Sequence, residues 1–194
     1  MMQSSLSPEI ERFYYVRHGK TTDNRDGIVS GGDRDVALTE DGAQAAAALA
    51  PLFATLRDVT SIFCSPMIRA KATAEALNAQ AQRRIVYIED LREWRVGDCT
   101  GKTDAEYTGS LSGWGFDPPN GESRQVFQSR VHGALQECFR RKPSGDTLIV
   151  AHFGVWRAVT QILDMPMEPI DNTAFIEVSR TAHGWSHRRL TLQP

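Results

Sequence analysis

The stretch Tyr15-Val16-Arg17-His18-Gly19-Lys20-Thr21-Thr22-Asp23-Asn24 (YVRHGKTTDN) continues an aromatic, β-branched run, Phe13 to Val16, with the composition of a short strand. It admits two readings. Gly19-Lys20-Thr21 ends like a nucleotide-binding P-loop, whereas Arg17-His18-Gly19 puts a cation and a nucleophile at a strand end. A P-loop requires Gly-x-x-x-x-Gly-Lys-[Ser/Thr], because its first glycine lets the backbone curl around phosphates. Counting back from Gly19, that position is Tyr14, inside the strand. A second Gly-Lys-Thr, Gly101-Lys102-Thr103, has Val96 there. Both P-loop readings fail on spacing, and no Gly-x-Gly-x-x-Gly occurs. The Arg-His reading has the right setting, since ligand sites of open α/β sheets lie beyond the carboxyl ends of strands.

Other strand ends carry matching chemistry. Ser61 to Cys64 reads as a second strand, followed by Ser65-Pro66 as a helix cap and by Arg69 one turn into a helix running to Gln80. Ile85 to Ile88 reads as a third strand, with Glu93 a few residues on. Thr147 to Ala151 is the most apolar segment, of the kind buried on both faces, and His152 follows it directly. Between these lie a helix over Ala43 to Leu56 capped by Thr39, and a helix from Ser123 to about Arg141. Gly154 to Leu163 reads as helix, and Ala174 to Val178 with His187 to Leu192 as a closing hairpin. Strands alternating with helices predict an α/β three-layer sandwich around a mostly parallel sheet, in one domain spanning 1–194 with residues 1–12 as a mobile lead-in.

The strands thus bring Arg17, His18, Arg69, Glu93 and His152 to one sheet edge. A guanidinium matches two phosphoryl oxygens at once. A neutral imidazole is a competent nucleophile near pH 7. A carboxylic acid can protonate the leaving alkoxide, and its carboxylate can then activate water. The expected chemistry is phosphomonoester hydrolysis through a phosphohistidine, with Arg and His carrying the charge that magnesium handles elsewhere, so no metal and no cofactor is expected.

Composition sets limits on this reading. The chain has 194 residues and a formal net charge of −2, so no general basic field invites nucleic acid. Cys64, Cys99 and Cys138 are scattered, without a Cys-x-x-Cys, which argues against a disulfide framework or zinc site and for a reducing, cytoplasmic setting. No apolar run reaches the length of a membrane span, and the N-terminal residues lack a signal peptide's apolar core. His183 and His187 fall in a turn-and-strand context unsuited to a metal. Trp94, Trp114 and Phe116 read as packing groups, and Arg188-Arg189 as strand-edge charges.

Taken together, the motifs resemble those of the histidine phosphatase superfamily, in its phosphoglycerate-mutase-like branch. The resemblance rests on Val16-Arg17-His18-Gly19-x-Thr21-x-x-Asn24, on Asp35-x-x-Leu38-Thr39-x-x-Gly42-x-Gln44-Ala45 and on Ser65-Pro66-x-x-Arg69-Ala70-x-x-Thr73-Ala74. It continues through Leu91-x-Glu93-x-x-x-Gly97-x-x-x-Gly101, Gly121-Glu122-Ser123 and Val150-Ala151-His152-Phe153-Gly154-Val155. It implies His18 as nucleophile, Arg17, Arg69 and His152 as phosphoryl ligands, and Glu93 as proton donor. Asn24 is expected to border the pocket, the Phe153 amide to contact phosphate, and Lys20 to stand at the rim, where the family often has Glu or Gln. The segment between Glu93 and Gly121 is shorter than in the branch's mutases, which favours a phosphatase. The expected partner is a small phosphorylated metabolite, with the chain a monomer or homodimer. A mutase that returns the phosphoryl group to substrate, and a binding module without turnover, are the rival readings.

Overall fold

A computed structural model describes residues 6, 9–107, 116–142 and 144–191. Its centre is one six-stranded sheet in the order β3-β2-β4-β1-β5-β6. Four strands run parallel: β1 (Arg12–Arg17), β2 (Val59–Cys64), β3 (Arg84–Tyr87) and β4 (Asp146–Ala151). An antiparallel hairpin, β5 (Phe175–Thr181) and β6 (Gly184–Leu190), extends the sheet from β1.

Strand periodicity builds the layers, because successive side chains point to opposite faces. In β1, Phe13 and Tyr15 enter one buried apolar cluster and Tyr14 and Val16 the other. The first cluster is closed by the helices α6 (Arg124–Arg141) and α7 (Phe153–Ile162), through Phe127, Val131, Leu135, Val155, Trp156 and Val159. The second is closed by α3 (Ala50–Thr55) and α4 (Ile68–Leu77), through Phe53, Ala70, Ala74 and Leu77. The result is the three-layer sandwich expected from the alternation of strands and helices.

Register places the site. Arg17 is opposite Ala151, and Cys64 opposite Val150. The next residues along each strand, His18, His152 and Ser65, therefore leave the sheet side by side. Backbone bonds carry the pairing past the strand ends: the His18 amide donates to the Ala151 carbonyl at 3.0 Å and the Ser65 amide to the Val150 carbonyl at 3.0 Å.

Several local expectations are corrected. The helix read over Ala43–Leu56 is two helices, α2 (Glu40–Ala47) and α3, broken at Ala48 and Leu49. Pro51 explains the break, since its ring lacks an N–H and clashes with the preceding turn of a continuous helix. Ser65 does not cap α4, which begins only at Ile68. The Ile68 amide instead donates to both carboxylate oxygens of Asp35, at 3.0 and 3.2 Å, so a distant loop supplies the cap. Leu6 and Ile10, placed by the sequence reading in the lead-in, are buried beside Phe13 because their apolar side chains extend the first core cluster. The hairpin's second strand starts earlier than expected, at Gly184, and Leu192 lies outside the described residues. A short helix, α1 (Thr22–Asp26), follows the opening stretch, capped reciprocally by Thr21 and Asn24. The segment after Glu93, expected to be loop, contains a 3-10 turn at Gly97–Cys99 and the helix α5 (Asp104–Tyr107). Trp114 lies outside the described residues. Among the described residues no helix is long and apolar enough to cross a membrane.

Candidate active site

His18 leaves β1 buried at 4 % exposure. Its Nδ1 is 2.8 Å from the carbonyl oxygen of Gly19. A carbonyl only accepts, so Nδ1 must carry the proton and Nε2 keeps its lone pair. Burial first, then the guanidinium groups of Arg69 and Arg17, holds this imidazole well below the ordinary histidine range, against the opposing Gly19 bond. His18 is therefore neutral near pH 7, with a free nitrogen of defined identity. Its loop is fixed tightly. The Gly19 amide donates to Thr73 Oγ1 at 2.9 Å, and Asn172 Nδ2 donates to the His18 carbonyl at 3.0 Å. A Cβ on Gly19 would run into the Gly42 carbonyl, so the close approach of α2 requires glycine there.

The two arginines are oriented chiefly by main-chain carbonyls, and Arg69 makes a long ion pair as well. Arg17 donates to the Ile170 carbonyl at 2.7 Å, lies over the Phe153 ring at 5.2 Å, and has a buried Nε with no partner among the described residues. Arg69, 2 % exposed, donates to the carbonyls of Arg34 at 3.1 Å and Gly31 at 2.9 Å. The nearest carboxylate to Arg69, on Asp35, is 3.7 Å away. Carbonyl acceptors orient a guanidinium but leave its net charge intact, which suits an anion site. His152 lies with its ring centroid 5.1 Å from that of His18. Its Nε2 is 2.8 Å from Ser65 Oγ, and its Nδ1 is buried without a partner. Burial, then Arg69, His18 and Arg17, also holds His152 well below the ordinary range.

Glu93 reaches the same place from the segment after β3. Its Oε1 accepts from the Trp94 amide at 2.8 Å and its Oε2 from the Gly154 amide at 2.9 Å. A side chain at position 154 would collide with this carboxylate, so α7 must begin Phe-Gly for Glu93 to fit. Arg17, His18, Arg69 and Glu93 line one cavity of about 670 Å³, together with Asn24, Ser30 and Phe153. Its outer wall is mostly apolar, with Ile28, Val29, Val96, Met167 and Pro169, joined by Arg157 and Gln161. A larger concavity of about 960 Å³, between the N-terminal segment and α6, holds no comparable cluster.

The remaining expected residues are placed unequally. Asn24 lines the cavity, and its side-chain oxygen accepts from the Thr21 amide at 3.2 Å and from Asn172 at 3.1 Å. That leaves its NH2 group as the pocket donor. Phe153 is the first residue of α7, where a helix start leaves amides without intrahelical partners. Lys20 is not brought in. It is exposed, does not line the main cavity, and borders two smaller depressions with Asp41, one of which Arg17 also lines. Trp94 is buried, stacks on Phe127 at 5.8 Å, and also lines the cavity. His187 is 3.0 Å from the Pro166 carbonyl, and the described residues contain no cluster of metal-ligating side chains.

Two supports were not singled out from the sequence. Glu122 is buried and binds Arg130 through both oxygens, at 2.7 and 2.8 Å. Arg130 also donates to the carbonyls of Asp90 and Arg92 at 2.9 Å each and of Glu93 at 3.3 Å. The pair clamps the backbone that carries the acid. Asp23 accepts from Ser30 at 2.7 Å and pairs with Arg34 at 2.9 Å, which ties down the loop whose carbonyls hold Arg69. The only sequence signals were a lone Glu in Gly-Glu-Ser and an Asp in the opening stretch.

Comparison with known proteins fits this geometry. The family model of the histidine phosphatase superfamily (branch 1) matches residues 13–193. "Probable phosphoglycerate mutase GpmB" of Salmonella arizonae is 29 % identical over 190 residues, which cover 93 % of this chain and 80 % of that protein. "Agropine synthesis reductase" of Rhizobium rhizogenes is 29 % identical over 185 residues, covering 90 % of this chain but only 40 % of that longer protein. The crystal structure of the alpha-ribazole phosphatase from Shigella flexneri superposes with a TM-score of 0.75 at 27 % identity, covering 92 % of this chain and 95 % of that one.

Proposed function

The chain belongs to the histidine phosphatase superfamily, and from that premise we propose that it hydrolyses the phosphomonoester of a small metabolite through a phosphohistidine at His18. The observation that carries this reading is the fixed tautomer of His18, whose Nδ1–H is committed to Gly19 so that Nε2 offers its lone pair to phosphorus.

The substrate phosphoryl group would sit against Arg17, Arg69 and His152, with the buried, unpartnered Arg17 Nε and His152 Nδ1 available to its oxygens. Nε2 of His18 forms the P–N bond as the P–O bond to the alcohol breaks. Glu93 gives its proton to the departing oxygen, then takes one from the water that attacks the phosphohistidine. Water's oxygen ends on inorganic phosphate, and His18 returns to its neutral form. The arginines supply the positive charge that a phosphoryl group in transfer requires.

The test is phosphate release from an aryl phosphate and from alkyl phosphates, with EDTA present. Release by the native chain is expected, with loss of about 10⁴-fold or more in His18→Ala. Glu93→Ala is expected to slow alkyl phosphates far more than the aryl one, because a phenolate leaves without an acid. Undiminished turnover in His18→Ala would refute the proposal. The similarity to a protein named as a mutase supports a second reading, return of the phosphoryl group to substrate. Priming by a bisphosphate, with little net phosphate released, would favour it.

A further inference from the structure

We infer that Ser65 is a positioning residue that sets the tautomer of His152, making a neutral imidazole donate to the phosphoryl group. The inference rests on the phosphatase reading only for its kinetic consequence. Ser65 is fully buried at the end of β2, between the backbone start of α4 and the His152 ring. Its Oγ accepts from the Met67 amide at 3.3 Å and lies 2.8 Å from His152 Nε2. With an N–H already donating to the oxygen, the hydroxyl proton is available to the ring.

Two arrangements of the Ser65–His152 bond are possible for a neutral ring. If Nε2 carried the proton, Nδ1 would be a bare lone pair, buried and unpartnered. It would leave a lone pair with no donor to meet it, on a ring whose centroid is 5.1 Å from that of His18 at the floor of an anion site. If Ser65 O–H donates to Nε2, the proton sits on Nδ1, and the orphaned atom becomes a donor awaiting an acceptor. A phosphoryl oxygen is such an acceptor. The second arrangement satisfies every atom once ligand is bound, and the first satisfies none of them better.

The two histidines of the site then have the same tautomer for opposite purposes. His18 has Nδ1–H tied to a carbonyl, so that Nε2 attacks. His152 has Nε2 tied to a hydroxyl, so that Nδ1–H donates. A carbonyl fixes the first and a serine fixes the second, and neither ring needs a positive charge.

The experiment is ¹⁵N-edited histidine spectroscopy of the native protein and of Ser65→Ala and Ser65→Cys, with kinetics on an aryl phosphate and inhibition by inorganic phosphate. In the native spectrum the proton is expected on Nδ1 of His152. In Ser65→Ala it should redistribute towards Nε2, kcat/KM should fall about tenfold, and phosphate should inhibit correspondingly more weakly. Ser65→Cys, with a weaker donor, should fall between. A native His152 protonated on Nε2, or an Nδ1–H tautomer unchanged in either folded variant, overturns the inference. If the alanine variant fails to fold, the native spectrum and the cysteine variant still decide it. No phosphate release by the native protein would count against the phosphatase reading instead, and would leave the tautomer result standing.

Discussion

Arginines at the two ends of the sheet are held in opposite ways. At the parallel strand ends, Arg17 and Arg69 are buried and donate to main-chain carbonyls of Ile170, Gly31 and Arg34. On the antiparallel hairpin, the exposed Arg188 pairs with the buried Glu177 at 2.8 Å, and Arg189 pairs with Asp171 on the surface at 3.2 Å. Carbonyl partners fix direction and leave charge, whereas carboxylate partners cancel it. The first arrangement is costly in an empty protein, because burial disfavours each charged guanidinium. It is explained if an anion completes it. The same sheet thus carries one region built for a ligand and one built only to close the fold.

The sharpest way to break this contrast is Arg17→Met, which keeps the bulk and removes the charge. We expect kcat/KM to fall about 10³-fold, since charge-assisted bonds to the phosphoryl group are lost. Tm should hold or rise, because a guanidinium whose charge burial disfavours is gone. Inorganic phosphate should raise the Tm of the native chain and not of the variant. A variant both inactive and markedly unstable would show that Arg17 is held for the fold. Next in size is Gly154→Ala, which pushes the Glu93 carboxylate off the α7 amide. Turnover of alkyl phosphates should drop about 10²-fold, with aryl phosphates little affected. Equal losses on both would mean the damage lies elsewhere than in the acid.

How much of this was legible beforehand follows from the range of the interactions. Strand ends were readable because β1 and β4 are locally unmistakable, and Arg17, His18 and His152 follow them directly. Glu93 was readable only as a carboxylate after a weak strand. The helix break at Ala48 had a local signal in Pro51, which the alanine-rich pattern masked. Asp35 and Glu122 stand in recognisable motifs, but their partners, the start of α4 and Arg130, had no local signal, because only the folded chain brings each pair together. Ser65 was legible as a polar residue before Pro66. Its local role as a cap was the natural reading, and the fold gives its hydroxyl to His152 instead. Lys20 is expected at the rim from the resemblance, and it stands exposed, outside the main cavity and beside a smaller depression that Arg17 also lines.

Smaller effects test the supports. Glu122→Ala leaves the part-buried Arg130 with its carbonyl acceptors but no carboxylate, and should cost about 2 kcal/mol of stability, read by urea denaturation. It should also weaken turnover of alkyl phosphates more than aryl ones, because Glu93 loses its clamp. The buried histidines give a pH signature. His18 and His152 are both held below their unfolded value of about 6.5. Below that pH the unfolded chain takes up protons that the folded chain refuses, so stability should be complete above about pH 6.5 and decline as pH falls towards the depressed folded values. Tm measured against pH should show a shallower decline in His152→Gln. The same depression should keep His18 nucleophilic at pH values where a free histidine is mostly protonated, moving the acid limb of kcat/KM below 6.5.

The smallest effect is expected where the contrast began. Arg188 makes two bonds to Glu177, at 2.8 and 3.1 Å, on paper as good as any ion pair in the chain. Yet its side chain is 70 % exposed, so solvent and salt screen the attraction even though the Glu177 carboxylate is buried. Arg188→Gln should lower Tm slightly, because the buried Glu177 loses its cation, and leave phosphate release and phosphate inhibition within error of the native chain. An effect on turnover from this distance would mean the hairpin and the pocket are coupled through β1, which pairs with β5 along its length. The division between a charged floor and a neutralised edge would then be a single mechanical unit, and Arg17→Met would have to be reinterpreted with it.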